Sequence, residues 1–122
     1  WIKVNPRYTE INYAADRKMP DSIFAYYQKL IAMRKDNAAM VDGTFEMLLP
    51  EHPEVVMYLR KTSRQTLLVV ANFCNNENKV QWPEEVTGHE WKRILTNRED
   101  SAPSLERDTW MPWEAEIYEL QG

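Results

Sequence analysis

Cysteine is almost missing: Cys74 is the only one in 122 residues. A disulfide framework needs at least two, so the usage points to a reducing compartment or to redox indifference. The histidines number two, His52 and His89, and lie far apart. With one cysteine they do not make a His/Cys metal site. "DNAAMVDG" lacks the alternating oxygen ligands of a calcium loop. Glycine is scarce, with three in the chain, and no Gly-rich phosphate loop is present. No cofactor is therefore expected. Long apolar runs are absent too. The most apolar stretches, "TLLVVANF" and "EVVMYL", fall far short of the roughly 20 residues that span a bilayer. No apolar segment after Trp1 could serve as a signal peptide. No basic run exceeds two residues and the net charge is −4, which sets nucleic acid aside, since its binders carry a basic field.

What is present suits one compact domain with a small appendage. The chain is 43% hydrophobic and 28% charged, with five Trp, six Tyr and three Phe, enough for a core. The opening strip "WIKVNPRYTEINYAAD" shows no helix or strand period, and residues 1–20 are expected to be extended loop. Pro20 precedes "DSIFAYYQKLIAMRKDN", where Asp21 or Ser22 can cap a helix by accepting from an orphan amide. Ile23, Tyr27, Leu30 and Ile31 follow at i, i+4, i+7 and i+8, one apolar stripe at helical period. Lys29, Arg34 and Lys35 lie toward the C-terminal half, as the helix dipole favours. The spacing predicts a helix over about 21–37.

Beyond "MVDGT" the period changes to two. "TFEMLL" alternates over Phe45, Met47 and Leu49. "EVVMYLRK" puts Val55, Met57 and Leu59 on one face and Val56 and Tyr58 on the other. The polar turn "TSRQ" leads to "TLLVVANF", so the pair is a predicted β-hairpin whose second strand is buried on both faces. "NKVQW", "EWKRILTN" and "PWEAEIYEL" are further strand candidates, with "SLERDTW" a weaker one. The expected fold class is mainly β: an antiparallel β-sandwich preceded by one amphipathic helix and an N-terminal loop.

No catalytic constellation emerges. Glycoside hydrolysis needs two positioned carboxyl groups, but the nineteen acidic residues fall mostly in turns or on polar strand faces. "PEE", "ERD" and "RED" look like solvated surface. A Ser-His-Asp site would need His52 or His89 beside a nucleophile, but both sit in predicted turns and are expected to be exposed loop residues. Cys74 in "FCNNEN" has no neighbouring cation to lower its pKa, so an inert thiol is expected. Trp82, Trp91, Trp110 and Trp113 all fall in the β region. They either fill the core or present a platform on which sugars stack. "WMPW", with Trp110 and Trp113, is the candidate substrate-binding platform; catalytic and metal-binding residues are expected to be none.

The order of segments carries a resemblance. "WIKVNPRYTEIN", "PDSIFAYYQKLIAMRK", "GTFEMLLPEHPEVVMYLRK", "LLVVANF" and "PWEAEIYEL" together resemble the C-terminal end of glycoside hydrolase family 13. The likeness is nearest to its oligo-1,6-glucosidase, dextran glucosidase and trehalose-6-phosphate hydrolase group of α-glucosidases. It covers the whole chain. It implies that residues 1–40 are the last loop and helix of a catalytic (β/α)₈ barrel and that 41–122 are a β-sandwich of the α-amylase C-terminal-domain type. It further implies that the parent is a retaining α-glucosidase acting on α-1,6-linked gluco-oligosaccharides, or alternatively a trehalose-6-phosphate hydrolase, and a cytoplasmic location is expected for it. The family's Asp nucleophile, Glu acid/base and third Asp all lie upstream of these segments. None maps onto a position here, so the chain alone is expected to be inactive and to stabilise the barrel. Arg7 departs from the usual "VNPNY", where Asn is common. On this reading the chain is an excised piece, beginning at Trp1 without an initiator Met. Its partners are the parent's barrel and, through it, a gluco-oligosaccharide. Without the barrel, the helix face around Phe24 and Tyr27 would fold back on the sandwich or drive self-association. The remaining alternative is a stand-alone carbohydrate-binding module. The opening strip is expected to be pinned only where Trp1, Ile2 or Tyr8 meets apolar surface.

Overall fold

The computed structural model describes residues 3–20, 22–98, 104–105 and 107–122. Trp1, Ile2, Asp21, the acidic pair of "RED" (Glu99 and Asp100) and Glu106 of "ERD" lie outside them. The chain divides into two compact units, Trp1–Asn37 and Ala38–Gly122.

In the first unit the expected loop contains a helix. Residues 6–10 form a turn, with Asn5 Oδ1 accepting from the Arg7 amide (2.9 Å). Helix α1 then runs over Tyr13–Lys18. It is too short to show a period, and a local cap sets it: Asn12 Oδ1 accepts from the Ala15 amide at 2.8 Å. Tyr8 is exposed. Helix α2 spans Ile23–Asp36, with Ser22 as N-cap, its Oγ accepting from the Ala25 amide at 3.2 Å. The Tyr13 ring meets Phe24 edge-on, centroids 5.0 Å apart. The predicted stripe is only partly used: Leu30 is half-buried, whereas Ile23, Tyr27 and Ile31 are 73%, 61% and 52% exposed.

The second unit opens with α3 (Ala38–Asp42), whose Ala39 is fully buried. Gly43 follows for a steric reason: a Cβ there would stand 2.3 Å from the Ala39 carbonyl oxygen. The strands are β1 (Thr44–Met47), β2 (Val55–Lys61), β3 (Thr66–Asn72), β4 (Asn78–Lys79), β5 (Trp91–Thr96), β6 (Thr109–Trp110) and β7 (Ala115–Leu120). Five form a sheet of order β1-β2-β3-β7-β5, antiparallel throughout, and β4 pairs with β6 in a second sheet. This is the expected mainly β, antiparallel fold.

The predicted hairpin forms. β2 and β3 pair from Val55↔Asn72 to Lys61↔Thr66, and the turn closes with Thr62 Oγ1 accepting from the amides of Arg64 (3.3 Å) and Gln65 (3.1 Å). Val55, Met57 and Leu59 are buried while Val56 and Tyr58 are half-buried, as the period of two requires. On β3, Leu67 and Leu68 are both fully buried, one on each face. The core gathers β2, β3 and Tyr118 of β7 on one side with Val80, Val86 and Trp110 on the other. That second layer is thin. β4 and β6 have two residues each, and much of "NKVQW" is irregular backbone held by single bonds such as the Val80 amide to Asp108 O (2.7 Å).

Candidate functional site

Two features of the second unit concentrate chemistry, and neither is the predicted platform. The first is a charged cluster inside the β domain. Period two along β7 places Glu116 and Tyr118 on one face, and Glu114 precedes them at the same parity. All three are buried. Arg107, from the segment leading into β6, reaches both carboxylates: Nη1 donates to Glu114 Oε1 at 2.8 Å and Nη2 to Glu116 Oε1 at 2.7 Å. Arg93 of β5 approaches Glu116 Oε1 at 3.5 Å, and the Tyr118 hydroxyl donates to Glu116 Oε2. The Met111 amide donates to Glu114 Oε1 at 3.0 Å. The Arg107 guanidinium also stacks 4.1 Å from the centroid of the Trp110 ring.

The electrostatics follow from this geometry. Burial pushes the Glu114 carboxyl up, but its bond from Arg107, the Met111 amide and the Arg107 charge outweigh burial and hold it below the usual carboxylate range. Burial acts on Arg107 downward, and its two carboxylate partners reverse that, raising its pKa. Burial first, and then Glu116, push the Tyr118 hydroxyl well up. Glu114 is therefore ionised and paired, the opposite of a general acid. The acidic residues assigned to solvated faces thus include two that are buried. Arg107 of "ERD", also assigned to the surface, lies largely inside: its side chain is 18% exposed.

The second feature is a cleft of about 550 Å³ lined by Trp82, Trp91, Thr87, His89, Glu90 and Ser104, among others. Residues 84–88 turn at its rim, where the Val86 and Thr87 amides donate to Pro83 O and Gly88 takes φ +78°. Trp82 and Trp91 are half-buried and fixed by their indole N–H groups, which donate to Arg107 O (2.9 Å) and Val86 O (3.0 Å). Trp110, half of the predicted platform, is fully buried and presents no face to a sugar; its ring instead supports Trp82 edge-on at 6.1 Å. Trp113 is 58% exposed, with a left-handed φ of 58°. The structure does not bring the two together as an exposed pair.

The histidines and the cysteine fall in different places. His52 Nδ1 accepts from the amides of Glu54 (3.2 Å) and Val55 (3.0 Å), closing the turn into β2. His89 is exposed on the cleft rim. Cys74 is a free, half-buried thiol whose Sγ accepts from the Asn76 amide at 3.4 Å. Among the described residues no group of three or more His, Cys, Asp or Glu could hold a metal ion, and no helix is long and apolar enough to cross a membrane.

The second unit is a small antiparallel β domain whose two buried carboxylates, Glu114 and Glu116, are held in ion pairs with Arg107. Comparison with known proteins gives the family. Residues 45–111 match "Maltogenic Amylase, C-terminal domain" and residues 1–43 match "Alpha amylase, catalytic domain". The chain belongs to the α-amylase family, glycoside hydrolase family 13. It is 41% identical over 121 residues to an oligo-1,6-glucosidase of Heyndrickxia coagulans, covering 99% of this chain and 20% of that protein. It is 35% identical over 121 residues to a trehalose-6-phosphate hydrolase of Bacillus subtilis (strain 168), covering 98% of this chain and 22% of that one. The crystal structure of the Bacillus licheniformis trehalose-6-phosphate hydrolase superposes with a TM-score of 0.88 at 33% identity, over 100% of this chain and 22% of that chain. The chain thus spans about a fifth of the length of the relatives it matches.

Proposed function

We propose that this chain is the non-catalytic C-terminal part of a cytoplasmic α-glucosidase that hydrolyses α-1,6-linked gluco-oligosaccharides with retention. In this reading residues 1–40 are the last loop and helix of the catalytic barrel, residues 41–122 are the C-terminal domain, and the domain stabilises the barrel. The observation that carries it is the change of family match between residues 43 and 45, catalytic domain on one side and C-terminal domain on the other. The exposed stripe of Ile23, Tyr27 and Ile31 on α2 supports it. A barrel helix must bury such a face against its neighbours. The carboxylates Glu114 and Glu116 are committed to Arg107, so the chain alone hydrolyses nothing.

The test is an assay of isomaltose hydrolysis by the 122-residue chain and by the complete product of its encoding reading frame. The expected result is no turnover by the first and retaining hydrolysis by the second. Turnover by the isolated chain, or a complete product that lacks α-glucosidase activity, would overturn the proposal. A parent acting on trehalose 6-phosphate is the second reading, favoured by the TM-score of 0.88 to such an enzyme. The same assay with trehalose 6-phosphate separates the two.

A further inference from the structure

We infer that the cleft between Trp82 and Trp91 is a non-catalytic binding site for a neutral glucose-containing oligosaccharide. Its volume, about 550 Å³, lies within the range of small-ligand sites. Both indole N–H groups are consumed by backbone carbonyls, so what the rings leave for a ligand is carbon. Apolar ring surface is what the C–H faces of a pyranose pack against, by the same dispersion and desolvation that aromatic side chains contribute in cores.

The polar complement is equally specific. Thr87, His89, Glu90 and Ser104 line the same cleft. The Thr87 hydroxyl donates to Glu84 O at 3.4 Å, and the His89 imidazole and Glu90 carboxylate bring a donor and acceptors to the cleft. Sugar hydroxyls, each a donor and an acceptor, fit such a set. An anion does not: among the described residues no Lys or Arg lines the cleft, and Glu90 adds a negative charge. A phosphorylated sugar is therefore disfavoured against its neutral counterpart.

The site is also pre-formed. Trp82 is fixed by its bond to Arg107 O and by the Trp110 edge, and Trp91 by its bond to Val86 O and by its pairing with Leu120 in the sheet. Rings held before binding lose little entropy on binding. The choice of an α-linked glucan among neutral oligosaccharides rests on the proposed function. The cleft chemistry does not.

The experiment is a titration of the ¹⁵N-labelled 122-residue chain with isomaltotriose, following the five indole N–H resonances. The Trp82 and Trp91 resonances should shift saturably with a Kd on the order of 1 mM, while Trp113 stays still. Trehalose should bind more tightly than trehalose 6-phosphate. Trp91→Ala should abolish the shift of Trp82. If that variant fails to fold, His89→Ala, at an exposed rim position, should weaken binding about threefold or more, the loss of roughly one hydrogen bond. Absence of saturable shifts at concentrations about tenfold above 1 mM, movement of Trp113 instead, or tighter binding of the phosphorylated sugar would overturn the inference. None of these readouts involves hydrolysis, so the α-glucosidase reading can fail while this one stands, and the reverse.

Discussion

Arg107→Met removes the guanidinium that bridges Glu114 and Glu116 and keeps most of the side chain's apolar bulk. Both carboxylates have no exposed side-chain surface, and Arg107 has 18%. This is a buried cluster, so the relevant cost is that of stranding charge rather than of losing a surface pair. Breaking such a pair by deleting one partner costs about 3–5 kcal/mol. Unfolding entropy of about 2.1 cal/mol/K per residue makes 1 kcal/mol worth about 4 °C at this length, so the melting temperature should fall by about 12–20 °C at pH 7. The pH dependence is the sharper test. In the parent sequence Glu114 is held below its ordinary 4.5. Its pairing therefore stabilises the fold fully above about pH 4.5 and is lost as pH falls through the lowered folded pKa. In the variant burial acts with much less opposition and raises the folded pKa. The penalty is then present at neutral pH and disappears as pH falls toward the unfolded value. The gap between the two proteins should narrow on acidification below about pH 5. Chemical denaturation of both proteins at a series of pH values measures it. A deficit that is the same at pH 3.5 and 7 on the order of measurement error, or one under about 1 kcal/mol at pH 7, would show that the cluster behaves as exposed pairs do and would refute the reasoning. Neutralising all three positions together, with Glu114→Gln and Glu116→Gln added, should recover most of the loss.

Two further substitutions test local backbone arguments by thermal melts. Gly43→Ala would place a Cβ 2.3 Å from the Ala39 carbonyl oxygen, so it should destabilise by about 1–3 kcal/mol. Trp113→Gly relieves a left-handed φ of 58° at a side chain that is 58% exposed. The strain of about 1–2 kcal/mol, less the backbone entropy of glycine, should leave a net gain on the order of 0.5–1 kcal/mol and a higher melting temperature. No gain would mean that the exposed indole makes contacts offsetting its strain.

Most of the fold was legible because the strands that build it are half-buried over enough residues to show their period. Val55, Met57 and Leu59 against Val56 and Tyr58 is such a case, and the continuous run of β3 told equally well of burial on both faces. The N-terminal helix was not legible. α1 has six residues, under two turns, and depends on the Asn12 cap rather than on a stripe. β4 and β6, at two residues each, carry no period at all. The charged cluster was hidden for a different reason. The alternation Glu114, Glu116, Tyr118 against Ala115 and Ile117 was visible, but composition assigns the acidic face to water. The face turns inward because Tyr118 packs in the core, and the approach of Arg107, seven and nine residues away, pairs the two carboxylates there. Likewise the four tryptophans of the β region were visible as a set. Which of them meet solvent depends on where irregular segments fold, and the pair chosen from "WMPW" is split, Trp110 inside and Trp113 outside.

The charged cluster and the cleft are physically one construction. Arg107 uses its guanidinium to hold Glu114 and Glu116 and lays it over Trp110; its own carbonyl accepts the Trp82 indole N–H; and the Trp110 ring meets Trp82 edge-on. One wall of the cleft is thus set by the same residue that neutralises the buried carboxylates. A thin second layer, with two strands of two residues each, could not hold a tryptophan in place by sheet hydrogen bonds alone. The buried ion pairs provide the fixed point that such a layer lacks, at a desolvation cost that an apolar core would avoid. On this view the cluster serves position more than stability. An apolar replacement of all three charged residues can restore the melting temperature and still leave Trp82 less well placed, so folded stability and sugar affinity should separate in that variant.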